Sequence, residues 1–171
     1  MSEPRRAVLR TGTDDVAGVI APPPVIAAAA LVLGALLDWL LPAYLLTLML
    51  SMSTRIVFGG LLMVAGTALA FAGERAFTRA GTEVKPWKPS LNLCTDGPYS
   101  WLRNPMYVGL ALLVGGIGFA LASDWTLVML VPAALVMHFG VVLREERYLE
   151  AKFGESYRAY MLRVPRYGWP F

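Results

Sequence analysis

Residues Gly97 to Gly109, GPYSWLRNPMYVG, carry a polar, turn-rich loop into an apolar helix through Arg103, Asn104 and Pro105. Proline at a first helical position loses no hydrogen bond and arrives with a φ already suited to the helix. Asn104, one residue earlier, is placed to cap a free backbone N–H. The unpaired N–H groups of that first turn, with Arg103 beside them, suit a carboxylate or a phosphate. Met106 to Ala122 is apolar enough to lie in lipid, so the anion site is expected at a membrane surface. The same residues also fit a plain capped membrane helix whose Arg103 reaches lipid phosphate.

Composition extends the membrane reading to the whole chain. Of 171 residues, 57% are hydrophobic and 16% charged, and the mean hydropathy is +0.56. A soluble domain carries about 25% charged residues. The expected fold is all-α and polytopic, with about four transmembrane helices, an interfacial lid loop and a C-terminal cytosolic amphipathic helix. Residues 1–21 read as a polar tail and 22–171 as a single membrane domain, with spans near 25–41, 56–72, 105–122 and 125–143. Up to residue 20 the tail is expected to be mostly disordered or to lie on the membrane. The net charge of +3 does not point to nucleic acid, because the basic residues fall between the apolar runs and follow membrane topology. Cys94 is the sole cysteine, which excludes an internal disulfide.

Within the spans, Asp38 and Trp39 mark the far end of the first, and Pro42 to Leu50 is too short to cross, so it either extends that helix or lies flat. The second span carries Gly59, Gly60, Gly66 and Ala70, and the third Gly109, Gly115, Gly116 and Gly118, small residues that let membrane helices approach closely. The second continues as helix towards Ala80. Gly81 to Leu102 is broken by Pro86, Pro89, Gly97 and Pro98, and its Trp87, Tyr99 and Trp101 suit an interface or a lid. Ser123 and Asp124 leave room only for a tight turn, which makes the third and fourth spans antiparallel neighbours.

Basic residues test this layout. The tail holds Arg5, Arg6 and Arg10, the first connection only Arg55, and the second Arg75, Arg79, Lys85, Lys88 and Arg103. The third holds none, and Arg144, Arg147, Lys152, Arg158, Arg163 and Arg166 follow the last span. That alternation fits a multi-pass protein with both termini cytoplasmic, and the Gly- and Pro-rich make-up fits a prokaryotic inner membrane. Arg103 and everything after Leu143 then share one side.

The fourth helix reads without a breaker through His138 into Arg144, Glu145, Glu146 and Arg147, and on to Phe153 before Gly154. His138 and Glu145, seven apart, are expected on one face, with Leu149 in the same stripe. Glu145 and Glu146 diverge by about 100° around a helix, so one faces the bundle and the other pairs with a neighbour such as Arg103, Arg144 or Arg147. An intramembrane His is either a functional group or a packing residue bonded to a carbonyl. ESYRAYMLRVP then reads as an amphipathic helix with Tyr157, Tyr160 and Met161 towards the membrane and Arg158 and Arg163 towards water. Tyr167, Trp169 and Phe171 read as interfacial anchors.

Together, RNPMYVG and, about 35 residues on, REERYLEAKFGESYRAYMLRVP resemble the isoprenylcysteine carboxyl methyltransferase family of membrane enzymes, which is distantly similar to phospholipid N-methyltransferases. That family's pattern is Arg-His-Pro-x-Tyr or Arg-Asn-Pro-x-Tyr entering one helix and Glu-Glu leaving the next, followed by Phe-Gly-x-x-Tyr-x-x-Tyr. It falls here on Arg103, Asn104, Pro105, Tyr107, Glu145, Glu146, Phe153, Gly154, Tyr157 and Tyr160. GTEVKPWKPSLNLCTDGPY also resembles bacterial members, so the likeness covers about residues 73 to 165.

The resemblance implies a cytosol-facing pocket for S-adenosylmethionine and methyl transfer to a lipophilic or small-molecule acceptor reached from the lipid bilayer. The methionine carboxylate suits Arg103 with the helix start at Asn104 and Pro105, and the ammonium and ribose hydroxyls suit Glu145 first and Glu146 second. Tyr107, His138 and Leu149 are candidates for the cofactor wall, and Tyr99, Trp101, Tyr157 and Tyr160 for the substrate side or lid. Where eukaryotic prenylcysteine enzymes carry His, this chain has Asn104, which cannot act as a base near neutral pH. Proton removal, where an acceptor needs it, then falls to Glu146, His138 or a Tyr, with Arg103 the remaining catalytic candidate. The chemistry requires no metal. A non-catalytic cofactor- or lipid-binding subunit is the alternative, and a transporter component with His138 and Asp38 on its pathway a further one.

Overall fold

The computed structural model describes residues 15–82 and 88–168, and among them the fold is all-helical with no strand. The expected roles of Trp87, Trp169, Phe171 and the basic residues Arg5, Arg6, Arg10 and Lys85 fall outside the described residues. Helix α1 (Pro23–Leu40) starts on the proline run, and α2 (Leu45–Met49) is a separate single turn after a break at Leu41. Pro42 to Leu50 therefore does not continue the first helix. Helix α3 (Met52–Arg79) begins at Ser51, whose side chain accepts the Thr54 N–H at 3.2 Å. After a 3-10 turn at Gly97–Ser100 come α4 (Pro105–Leu121), α5 (Asp124–Met137), α6 (Leu143–Phe153) and α7 (Glu155–Arg163).

Three helical segments are long and apolar enough to cross a membrane: Pro23–Leu40, Met52–Arg79 and the continuous run Asp124–Phe153. The shorter α4 is as apolar and lies against them. Helix α3 packs along α4, α1 along α5, and α4 joins α5 through the turn at Ala122, which adopts the left-handed conformation with φ 54°. Asp38 accepts from Ser123 Oγ and from the Trp125 N–H, and Asp124 accepts the Leu46 N–H at 3.0 Å, tying this end together. Trp39 stays exposed.

The α3–α4 contact depends on glycines in reciprocal pairs. A methyl at Gly59 would lie 2.5 Å from the Gly116 carbonyl oxygen, and one at Gly116 would lie 2.6 Å from that of Gly59. Gly66 and Gly109 face each other in the same way. Gly59, Gly66 and Gly73 are seven apart, as are Gly109 and Gly116, and that period keeps each set on one stripe of a gently crossing pair. Backbone meets backbone there, so α3 fixes where α4 begins.

One expectation fails around the last long helix. The run from α5 into α6 is interrupted by a π-helical turn, His138–Val142, which adds residues to a turn and so changes which side chains share a face. The seven-residue spacing from His138 to Glu145 consequently does not stack them. Residues 15–20 of the tail pack across this turn. The Ile20 N–H donates to the Gly140 carbonyl at 3.1 Å, the Ile20 side chain fills the space a Gly140 side chain would need, and Arg144 donates to the Gly18 carbonyl at 2.8 Å. Lys152 and Tyr148 hold Asp15 at 2.6 and 3.0 Å.

Helix α7 corrects a second expectation. Tyr157 and Tyr160 are buried against Leu93, Leu149, Phe153 and Val164, not turned to the membrane. Gly154, at φ 54°, turns the chain sharply between α6 and α7, folding α7 back on its predecessor.

Candidate functional site

At the end of the bundle where α4 starts and α6 leaves, a cavity of about 790 Å³, mouth included, lies between α3, the 3-10 turn, α4, α6 and α7. Tyr99 is fixed in its wall by an edge-on contact with Phe77, centroids 5.0 Å apart, and its carbonyl accepts the Tyr160 hydroxyl at 2.7 Å. Ala17, from the tail, and Tyr148 complete the rim.

Arg103 enters from the loop before α4. Its backbone N–H donates to the Pro165 carbonyl at 2.9 Å, and its side chain is 8% exposed. Nη1 lies 3.1 Å from Glu146 Oε1, close enough for an ion pair but off the line of a hydrogen bond, so Nε and Nη1 are sealed from solvent without an acceptor. Asn104 occupies the N-cap position, yet its side chain does not cap the helix as expected. Nδ2 donates instead to the Arg166 carbonyl at 3.1 Å, across to the C-terminal segment. Pro105 is fully buried at the first helical position.

The two glutamates part as the 100° rule requires. Glu145 accepts the Tyr107 hydroxyl at 2.6 Å and lines the cavity. Glu146 turns to the loop, where Arg166 holds both its oxygens at 2.9 and 2.6 Å beside Arg103. Leu149 lines the cavity as well. Burial pushes the Tyr157 hydroxyl well above its ordinary range, with Glu146 adding to the shift and the neighbouring Arg103 guanidinium opposing it. Tyr99 and Tyr160 shift the same way, also through burial.

The structure thus brings Tyr99, Arg103, Asn104, Tyr107, Glu145, Glu146, Leu149, Tyr157 and Tyr160 to one cavity. His138 lies apart. Its Nδ1 is 2.9 Å from the Tyr167 hydroxyl, and both residues line a second, almost wholly apolar cleft between α1, α4 and α5. Tyr107 borders both spaces, with its hydroxyl on Glu145. Trp101 is 55% exposed and lines neither. Sequence reasoning missed Arg166, Tyr148 and the His138 contact of Tyr167. A second arginine just past a helix-stopping Pro165, on the same side as a carboxylate pair, was the available signal for the first.

A model of the phospholipid methyltransferase family matches residues 54–156, from the start of α3 into α7. Neither the search of curated proteins nor that of solved structures finds a match.

Proposed function

The chain belongs to the phospholipid methyltransferase family, and on that premise we propose that it moves a methyl group from S-adenosylmethionine to a lipophilic or small acceptor at the cytosolic membrane face. The acceptor atom is a carboxylate, a thiol or a lipid amine, and the subtype is the isoprenylcysteine carboxyl methyltransferase-like one that the paired motifs resemble. The observation that carries this reading is Arg103 Nε, sealed from solvent without a hydrogen-bond acceptor, in a cavity that also holds the Glu145 carboxylate. A buried guanidinium N–H without an acceptor is costly unless a ligand supplies one.

S-adenosylmethionine, when bound, supplies a sulfonium methyl that is already activated for transfer. The chain's own work is then to bind, orient and exclude water. Arg103 receives the methionine carboxylate at the start of α4, where the first-turn N–H groups add to the attraction. Glu145, steadied by Tyr107, accepts from the ammonium or the ribose hydroxyls. Tyr99, Leu149, Tyr157 and Tyr160 form the dry wall. Glu146 has both oxygens on Arg166, which leaves His138, at the end of the apolar cleft, as the group placed to take a proton from an acceptor that must lose one. The basic residues on the site's side far outnumber the single Arg55 opposite, which supports cytoplasmic termini.

The test is transfer of labelled methyl from S-adenosylmethionine by the protein in lipid nanodiscs, with lipid extracts, fatty acids and small thiols as acceptors. Label should appear in one acceptor class and vanish in Glu145→Ala. Transfer no greater than that of Glu145→Ala with every class would overturn the assignment.

A further inference from the structure

Arg166 lies beyond the residues that the family match covers, yet it makes the closest contact to the carboxylate pair's second member. Nε donates to Glu146 Oε1 at 2.9 Å and Nη2 to Oε2 at 2.6 Å, a two-pronged grip. A carboxylate held along both oxygens by one guanidinium has its best-directed lone pairs occupied. Arg103 Nη1, 3.1 Å from the same Oε1, gains attraction but no hydrogen bond. The segment carrying Arg166 is itself anchored to the site, since Pro165 accepts the Arg103 N–H and the Arg166 carbonyl accepts from Asn104.

We propose that Arg166 is a positioning residue for the cofactor: by taking both oxygens of Glu146 it leaves Glu146 only an off-line ion pair with Arg103 Nη1, so that Arg103 Nε stays open to the ligand's carboxylate. The inference rests on the assignment of that carboxylate to Arg103 in the proposed function. Without Arg166, Glu146 is free to turn both oxygens onto Arg103 and hydrogen-bond its Nε, a contact that an incoming carboxylate must then displace. Arg166 touches no ligand in this scheme. Its effect passes through Glu146.

The test is titration of S-adenosylhomocysteine into the full-length protein in detergent. Arg166→Gln should weaken binding about tenfold, the scale of one charge-assisted hydrogen bond. Glu146→Gln/Arg166→Gln should bind within about threefold of Glu146→Gln alone, because a neutral amide cannot close an ion pair on Arg103. Arg166→Lys keeps the charge without the fork and should fall between wild type and Arg166→Gln, and it serves in place of Arg166→Gln should that variant not fold. A purely bracing Arg166 gives no rescue by Glu146→Gln, and that result, or wild-type affinity in Arg166→Gln, overturns the inference while loss of binding in Arg103→Ala leaves the proposed function standing. Unchanged binding in Arg103→Ala overturns both.

Discussion

The Tyr107 hydroxyl donates to Glu145 Oε1 at 2.6 Å, linking the first turn of α4 to α6 at the border between the polar cavity and the apolar cleft. A hydrogen bond to a buried carboxylate contributes about 1.5–3 kcal/mol. Tyr107→Phe should lower stability by that amount and weaken S-adenosylhomocysteine binding, read by thermal unfolding and calorimetry on the same preparation. Full retention of both would show that Glu145 needs no partner.

The glycine pairs make a steric prediction. Gly66→Ala or Gly116→Ala sets a methyl within 3 Å of facing backbone, which has no side-chain freedom with which to yield, so α3 and α4 must separate. Gly60, on the same helix, has nothing within 4 Å. Gly60→Ala should be neutral or stabilising by about 0.5–1 kcal/mol, and the other two should lower the unfolding temperature clearly.

Gly140 and Ile20 provide a matched pair. Gly140→Ala should expel the Ile20 side chain and release residues 15–20, seen as faster amide exchange there, and Ile20→Ala combined with it should restore protection in part. Equal exchange in all three proteins would show that the segment is not held by this contact.

The tyrosines around the site set an alkaline limit. Burial raises Tyr99, Tyr157 and Tyr160, and Tyr167 up to about 12, above an ordinary value of about 10. The folded state keeps protons that the unfolded chain gives up, so this contribution is complete below about pH 10 and is lost as pH rises towards 12. Unfolding temperature should be flat up to that point and then fall, in step with tyrosinate absorbance. Tyr167→Phe should make the fall shallower.

The spans were readable because runs of apolar residues of that length have few other uses. Arg103, Glu145 and Glu146 were readable because charge at a helix entrance and exit stands out against such runs, and the 100° step between neighbours foretold that the glutamates would divide. His138 was misplaced because a π turn leaves no mark in a pattern read at 3.6 residues per turn. The tyrosines of α7 were assigned to lipid because amphipathicity gives a face without naming what covers it, and here Gly154 folds that face onto the protein. Asn104 bonds across the molecule to Arg166, a contact that no local rule for capping contains.

The central claim is that the cavity between Arg103 and Glu145 holds S-adenosylmethionine, and calorimetric titration of S-adenosylhomocysteine into the purified protein tests it most directly. The account predicts micromolar binding in wild type and its loss in both Arg103→Ala and Glu145→Ala, with each variant still folded. Absence of binding to the wild type in detergent and again in lipid nanodiscs would contradict it.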